Sequence, residues 1–175
     1  MQNFENGLWA GTLATGPMTI AMMAMQKSLP PREKSPLPPA TLSTQIGEKI
    51  IGKLDEHIGV DQSLKSNQRS NLAIASHFAY GATTGIVFAQ IQDRLPGPAI
   101  IKGAAFGLGV WTLSYLGWIP LVGFRAAAPK MPARRNAMMI AAHVLWGAAL
   151  GFAERELRQS GNQLWDGHRR ARAAE

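Results

Sequence analysis

The stretch NLAIASHFAYGATTGIVFAQ, residues 71–90, contains no aspartate, glutamate, lysine or arginine. A helix needs about 20 mostly apolar residues to cross the hydrocarbon core of a bilayer, and this stretch has that length. Three further stretches share its character, since residues 7–25 and 136–153 carry no such charge and residues 99–124 carry only Lys102. The pattern predicts four transmembrane helices surrounded by lipid.

Each of these stretches contains two glycines spaced four residues apart. Helices in lipid associate through close backbone approach, which small residues one turn apart allow. The spacing therefore predicts that the helices pack through these glycines: Gly7, Gly11, Gly81, Gly85, Gly103, Gly107, Gly147 and Gly151.

Two of the stretches also match each other in sequence. HFAYGATTG at residues 77–85 aligns with HVLWGAALG at residues 143–151, at an offset of 66 residues. The other two stretches share a Gly-xxx-Gly pair at an offset of 96 residues. We predict an all-α, integral membrane four-helix bundle made of two tandem helical-hairpin repeats. Because each copy has an even number of spans, both copies point the same way through the bilayer.

The predicted four-helix transmembrane domain covers residues 1–158, and a basic C-terminal tail covers residues 159–175. The spans are predicted at about residues 7–25, 71–91, 99–119 and 136–153. In the long first linker, apolar residues recur every four positions between about residues 41 and 58. This spacing predicts an amphipathic helix at the membrane surface.

Composition limits the chemistry and the partners. The chain has no cysteine, which excludes disulfides, thiolate catalysis and cysteine metal sites. The net charge of +7 comes from basic residues in the linkers and the tail. Beside apolar spans these residues favour anionic lipid headgroups, rather than nucleic acid, as partners. The residues predicted to contact headgroups are Arg134, Arg135, Arg169, Arg170 and Arg172.

The distribution of basic residues also bears on orientation. Eleven lysines and arginines lie in the two linkers on one side, against seven on the other side. Because cytoplasmic loops carry an excess of Lys and Arg, the count favours the long first linker in the cytoplasm.

Two histidines lie within the predicted spans. Ionisable residues at such positions are rare and are candidates for function. His77 and His143, with Tyr80 and Trp146 one turn further on, are therefore the candidate ligand or proton site. Three roles remain open: hydrogen bonding between helices, a proton relay or substrate contact, and ligation of a haem iron from both sides. No cofactor other than this possible haem is indicated.

The chain also resembles a known family. The resemblance is carried by AGTLAT at residues 10–15 with Pro17 and Met18, by LPP at residues 37–39 and by the two His-x-x-aromatic-Gly-Ala motifs. These are similar to the YagU-type bacterial inner-membrane proteins and their relatives of unknown function. The resemblance implies a small, multi-spanning protein of the bacterial inner membrane, and it brings no catalytic residues.

Enzyme signatures such as a phosphate-binding glycine loop or His-Glu-x-x-His do not occur in the sequence. We therefore expect a non-enzymatic accessory, scaffold or assembly component that forms a homo-oligomer or joins a larger membrane complex. The alternative is a small transporter or channel with a path near His77 and His143. A bis-histidine haem electron carrier is the third possibility.

Overall fold

A computed structural model describes residues 2–27, 66–118, 121 and 132–172. Within these ranges the protein is all-helical and contains no strand, which confirms the predicted all-α class. The four α-helices are α1 (Gln2–Lys27), α2 (Ser66–Ile91), α3 (Ala99–Thr112) and α4 (Ala133–Arg172). The amphipathic helix predicted at about residues 41–58 lies outside the described residues.

The helices differ from the predicted spans mainly at two ends. Helix α3 is followed by a π-helical segment, Leu113–Trp118, in which Gly117 has non-helical torsion angles (φ −105°, ψ −108°). Helix α4 does not end near residue 153, but continues to Arg172 through most of the segment predicted as a tail.

The connection between α2 and α3 is short and well ordered by hydrogen bonds. A 3-10 turn, Gln92–Arg94, follows α2, and the amide of Leu95 donates to the carbonyl of Gln92 at 3.1 Å. Gly97 then adopts a positive φ of 98°, which favours glycine. The carbonyl of Pro98 accepts the first helical bond of α3, from Lys102 N at 3.0 Å. The end of the bundle at which this turn lies is called the turn end.

The helices pack as two pairs that meet through α4. Helix α1 lies along both α2 and α4, and α3 lies along α4. At the centre, the Phe106 ring of α3 is 5.2 Å from the Phe88 ring of α2 and 6.2 Å from the Trp146 ring of α4. Small residues of α1, such as Ala10 and Ala14, complete the buried core beside these rings.

Large apolar side chains point outward on all four helices. They include Phe4, Trp9, Leu13, Ile20, Ile74, Val87, Ile101, Leu108, Leu113, Leu145 and Phe152, each exposed. Extensive apolar surface of this kind is unusual on a soluble monomer and marks contact with lipid or a partner.

Two helical stretches of the described chain are long and apolar enough to cross a membrane, Ala99–Gly117 and Ala133–Gly161. Helices α1 and α2, which contain the other two predicted spans, are not among these stretches. Glycine, threonine and other small or polar residues occupy many of their positions.

Candidate functional site

Helices α1 and α2 meet at four of the predicted glycines, Gly7, Gly11, Gly81 and Gly85, which together are called the first glycine seam. A Cβ added to Gly7 would lie 2.6 Å from the carbonyl oxygen of Gly85 and 2.8 Å from the Cβ of Ala89. A Cβ on Gly11 would collide with the carbonyl of Gly81. The two backbones are therefore in contact, and a larger side chain would force them apart.

Helices α3 and α4 meet in the same manner at Gly103, Gly107, Gly147 and Gly151, the second glycine seam. A Cβ on Gly103 would lie 2.8 Å from the amide nitrogen of Gly151 and would collide with the carbonyl of Gly147. A Cβ on Gly107 would collide with the carbonyl of His143. All eight glycines thus lie against another helix of the same chain.

Two other helical glycines stand in contrast. A Cβ on Gly16 of α1 or on Gly109 of α3 would meet no atom within 4 Å. Close approach is therefore a property of the Gly-xxx-Gly positions and not of every glycine in these helices.

His143 is buried in α4, at 7% exposure. Its Nδ1 lies 2.8 Å from the carbonyl oxygen of Met139, one turn earlier. Because a carbonyl only accepts, Nδ1 carries the proton and the lone pair is on Nε2. The ring of Tyr115 packs edge-on against the imidazole, with centroids 5.9 Å apart. The imidazole is therefore held in one orientation.

His77 lies on α2 and is half-buried. Among the residues that the structure describes, its buried Nε2 atom has no hydrogen-bond partner. Its ring packs edge-on against that of Phe78, with centroids 6.3 Å apart. An unpartnered imidazole nitrogen in a buried site is available to a ligand or a proton.

The two aromatic residues of the predicted site have separate roles. Tyr80 places its hydroxyl 3.1 Å from Oγ of Ser114, linking α2 to the π-helical segment. Trp146 is 3% exposed and belongs to the central core. Ser114 and Tyr115 of the π-helical segment contact Tyr80 and His143, although the sequence did not predict either of them as part of the site.

The threonines of α1 bond to their own helix. Thr12, Thr15 and Thr19 each donate a 2.8 Å hydrogen bond to the carbonyl four residues earlier. Each hydroxyl therefore donates its hydrogen bond within its own helix and not to a neighbouring helix.

A second polar cluster lies at the turn end. Glu154 of α4 is fully buried, at 0% exposure, and its Oε1 accepts a 2.6 Å hydrogen bond from Nε of Arg158. The same guanidinium donates to both carboxylate oxygens of Asp93, at 3.0 and 3.2 Å, and to the carbonyl of Ala89 at 3.3 Å. Arg158 therefore ties α4 to the end of α2.

The five arginines that were predicted to contact lipid headgroups lie in different environments. Arg134 is exposed, whereas Arg135 is 4% exposed and has interactions within the protein. The other three arginines, Arg169, Arg170 and Arg172, lie in the last turns of α4. Among the described residues, no group of three or more His, Asp or Glu side chains is placed to hold a metal ion.

Comparison with known proteins places the chain in a family. The family described as "Protein of unknown function (DUF1440)" matches residues 18–151. No curated protein and no solved structure matches the chain.

Proposed function

We propose that this chain, which belongs to the family of unknown function DUF1440, is a non-enzymatic integral membrane protein of the bacterial inner membrane. In this proposal its four helices form a bundle of two tandem hairpins. The bundle acts as an accessory, scaffold or assembly component. The family membership agrees with the predicted resemblance to proteins of unknown function.

The arrangement of the glycines supports the tandem repeat. Gly7 of α1 contacts Gly85 of α2, and its counterpart Gly103 of α3 contacts Gly151 of α4. The nearest contacts differ by one turn, because a Cβ on Gly11 would meet the carbonyl of Gly81, whereas a Cβ on its counterpart Gly107 would meet that of His143. A common ancestral hairpin accounts for the shared use of Gly-xxx-Gly pairs at the offsets of 96 and 66 residues.

The sorting of side chains by size supports a lipid environment. In α1 the buried face carries small residues such as Gly7, Ala10 and Ala14, while Leu13 and Ile20 are exposed. A water-soluble bundle gains stability by burying its large aliphatic side chains. In lipid that gain disappears, and close backbone approach stabilises the bundle instead.

The observation that best supports the scaffold role is that the helices touch along both glycine seams. Backbone contact between paired helices leaves no aqueous passage along either seam. All eight glycines are used within the chain, so a partner would bind the outward apolar surface. The partner in this proposal is a second copy of the chain or another membrane protein, with exposed Arg134 beside anionic headgroups. In this proposal the long first linker lies in the cytoplasm.

Purification in a mild detergent after chemical cross-linking in intact membranes tests this role. The scaffold proposal predicts a defined oligomer or a reproducible partner at fixed stoichiometry. A monomer that transports a solute after reconstitution into liposomes would contradict it.

The presence of His77 and His143 within the predicted spans favours a second candidate, a small transporter or channel with a path between the hairpins. The unpartnered Nε2 of His77 is the specific observation in its favour. Replacing both histidines by glutamine should then abolish a solute- or pH-dependent phenotype while the protein still accumulates. If the double variant accumulates and the phenotype persists, this candidate is excluded.

The bis-histidine haem carrier has less support. It requires room for a flat macrocycle beside the glycines that follow each histidine. The positions beside Gly81 and Gly147 are filled by Thr15 and by the backbone of Gly103. A Soret band in the purified protein would nevertheless restore this candidate.

A further inference from the structure

Within the described part of the chain, three side chains near the turn end each carry a buried polar atom that has no hydrogen-bond partner. The atoms are Asn6 Nδ2, Gln92 Nε2 and Glu154 Oε2. Gln92 is 5% exposed and Glu154 is 0% exposed. A buried polar atom that has lost its water and gained no partner is destabilising, so such atoms indicate a missing ligand or an ordered water.

Each of the three residues is linked to Ala89 through a chain neighbour, its sequence spacing or a bonded partner, and the region around Ala89 is called the Ala89 pocket. The glycine that follows Asn6 would place a Cβ 2.8 Å from the Cβ of Ala89. Gln92 follows Ala89 by three positions along the chain. Glu154 binds Arg158, whose Nη2 donates to the carbonyl of Ala89 at 3.3 Å. The Ala89 pocket therefore lies where α1, α2 and α4 meet.

The charges around the Ala89 pocket balance. Arg158 pairs with both Glu154 and Asp93, and Lys102 donates to the carbonyl of Gln92 at 3.0 Å. Two carboxylates and two cations give no net charge to select an ion.

We propose that the Ala89 pocket is an internal hydration site, filled by water from the aqueous phase at the turn end. The unpartnered atoms are two amide donors and one carboxylate acceptor. Water accepts from the first and donates to the second, and a buried water typically makes about three hydrogen bonds. A bare cation would be opposed by the amide hydrogens, and an anion by the carboxylate. The site gives the bundle an aqueous recess that the scaffold role does not require.

Cysteine labelling tests the site in the full-length protein, because the chain has no native cysteine. Glu154→Cys is compared with Leu150→Cys, since both positions are 0% exposed and lie one turn apart on α4. Gln92→Cys is compared in the same way with Phe88→Cys, another position at 0% exposure. The probe is N-ethylmaleimide, which reacts with the thiolate.

A thiol in apolar surroundings has a raised pKa, and each pKa unit lowers the thiolate fraction about tenfold near neutral pH. We expect Glu154→Cys and Gln92→Cys to react at least about tenfold faster than their paired controls. Because the Arg158 guanidinium would by itself lower the pKa of a thiol at position 154, Glu154→Cys is also measured with Arg158→Met and should keep this advantage. Equal rates within both pairs would overturn the proposal.

Water-edited solid-state NMR of the unsubstituted protein in lipid provides a second measurement that no substitution can disturb. Polarisation from water should build up faster at the Glu154 carboxyl carbon than at the Leu150 methyl groups, with the Glu154 signal assigned from the spectrum of Glu154→Gln. Equally slow build-up at the two residues would show that the Ala89 pocket is dry.

Discussion

The carbonyl oxygen of Gly81 occupies the space in which a Cβ on Gly11 would lie, so α1 and α2 touch backbone to backbone. Alanine at position 11 must therefore separate the helices or distort them. Overpacking of a closed interface typically costs about 1–3 kcal/mol. We expect Gly11→Ala to lower the free energy of unfolding in mixed micelles by an amount in this range.

Gly16→Ala is the matched control for that substitution, because it lies in the same helix and its Cβ would meet nothing within 4 Å. Alanine in a helix interior is about 0.5–1 kcal/mol more favourable than glycine. Because Pro17 follows, and its ring crowds a Cβ on the helical residue before it, this gain is partly offset. The control should therefore destabilise the protein less than Gly11→Ala does. Equal destabilisation by the two variants would show that the first glycine seam is not the cause.

The second glycine seam should respond as the first does if the two hairpins are repeats. We expect Gly107→Ala, which would place a Cβ against the carbonyl of His143, to cost about as much as Gly11→Ala. Gly109→Ala, whose Cβ would be in open space, is the control. Denaturant titration in mixed micelles measures all four free energies, and a tolerated Gly107→Ala would refute the equivalence of the seams.

Arg158 should be more important for stability than its neighbour Arg155. Removing one partner of a buried ion pair leaves a buried charge uncompensated, which costs on the order of 3 kcal/mol. Arg158→Met leaves fully buried Glu154 without its 2.6 Å partner and should lower thermal stability strongly. In Arg155→Ala the lost contact, to Glu156 at 3.8 Å, is an exposed one worth about 0–1 kcal/mol.

A double variant separates the ion pair from simple packing. Glu154→Leu combined with Arg158→Met removes both charges and should recover much of the loss, since apolar replacements of a buried pair are often neutral. If the double variant is as unstable as Arg158→Met alone, the buried charge is not the origin of the effect.

The bond between Tyr80 and Ser114 should stabilise the contact between α2 and the π-helical segment. Their oxygens are 3.1 Å apart, and a hydrogen bond of this kind contributes about 0.5–1.5 kcal/mol. A double-mutant cycle of Tyr80→Phe and Ser114→Ala should return a coupling energy in that range. Additive single effects would mean that the two hydroxyls are not coupled.

The helices could be predicted because the determining signal is local. Charge-free runs of about 20 residues specify helices in lipid, and α1 and α2 each contain a predicted span. The glycine spacing is a local signal of the same kind, since residues four apart share one helix face. In the structure these glycines lie against a neighbouring helix.

The buried ion pair at the turn end could not be predicted in the same way. Glu154 and Arg158 belong to a run of alternating charge that is typical of an exposed helix end, yet Glu154 is completely buried. Their four-residue spacing was the available signal of a pair. Burial, however, depends on Asp93 and Ala89, which are distant in sequence. The π-helical segment was likewise hidden, because it depends on the torsion angles of Gly117.

Lipid around the helices is the central claim, and fractionation of cells that express the full chain tests it most directly. After lysis, high-speed sedimentation and a wash with alkaline carbonate, the protein should stay in the membrane pellet and should be released only by detergent. Recovery of the folded protein in the supernatant without detergent would contradict the claim, because the outward apolar side chains would then face water.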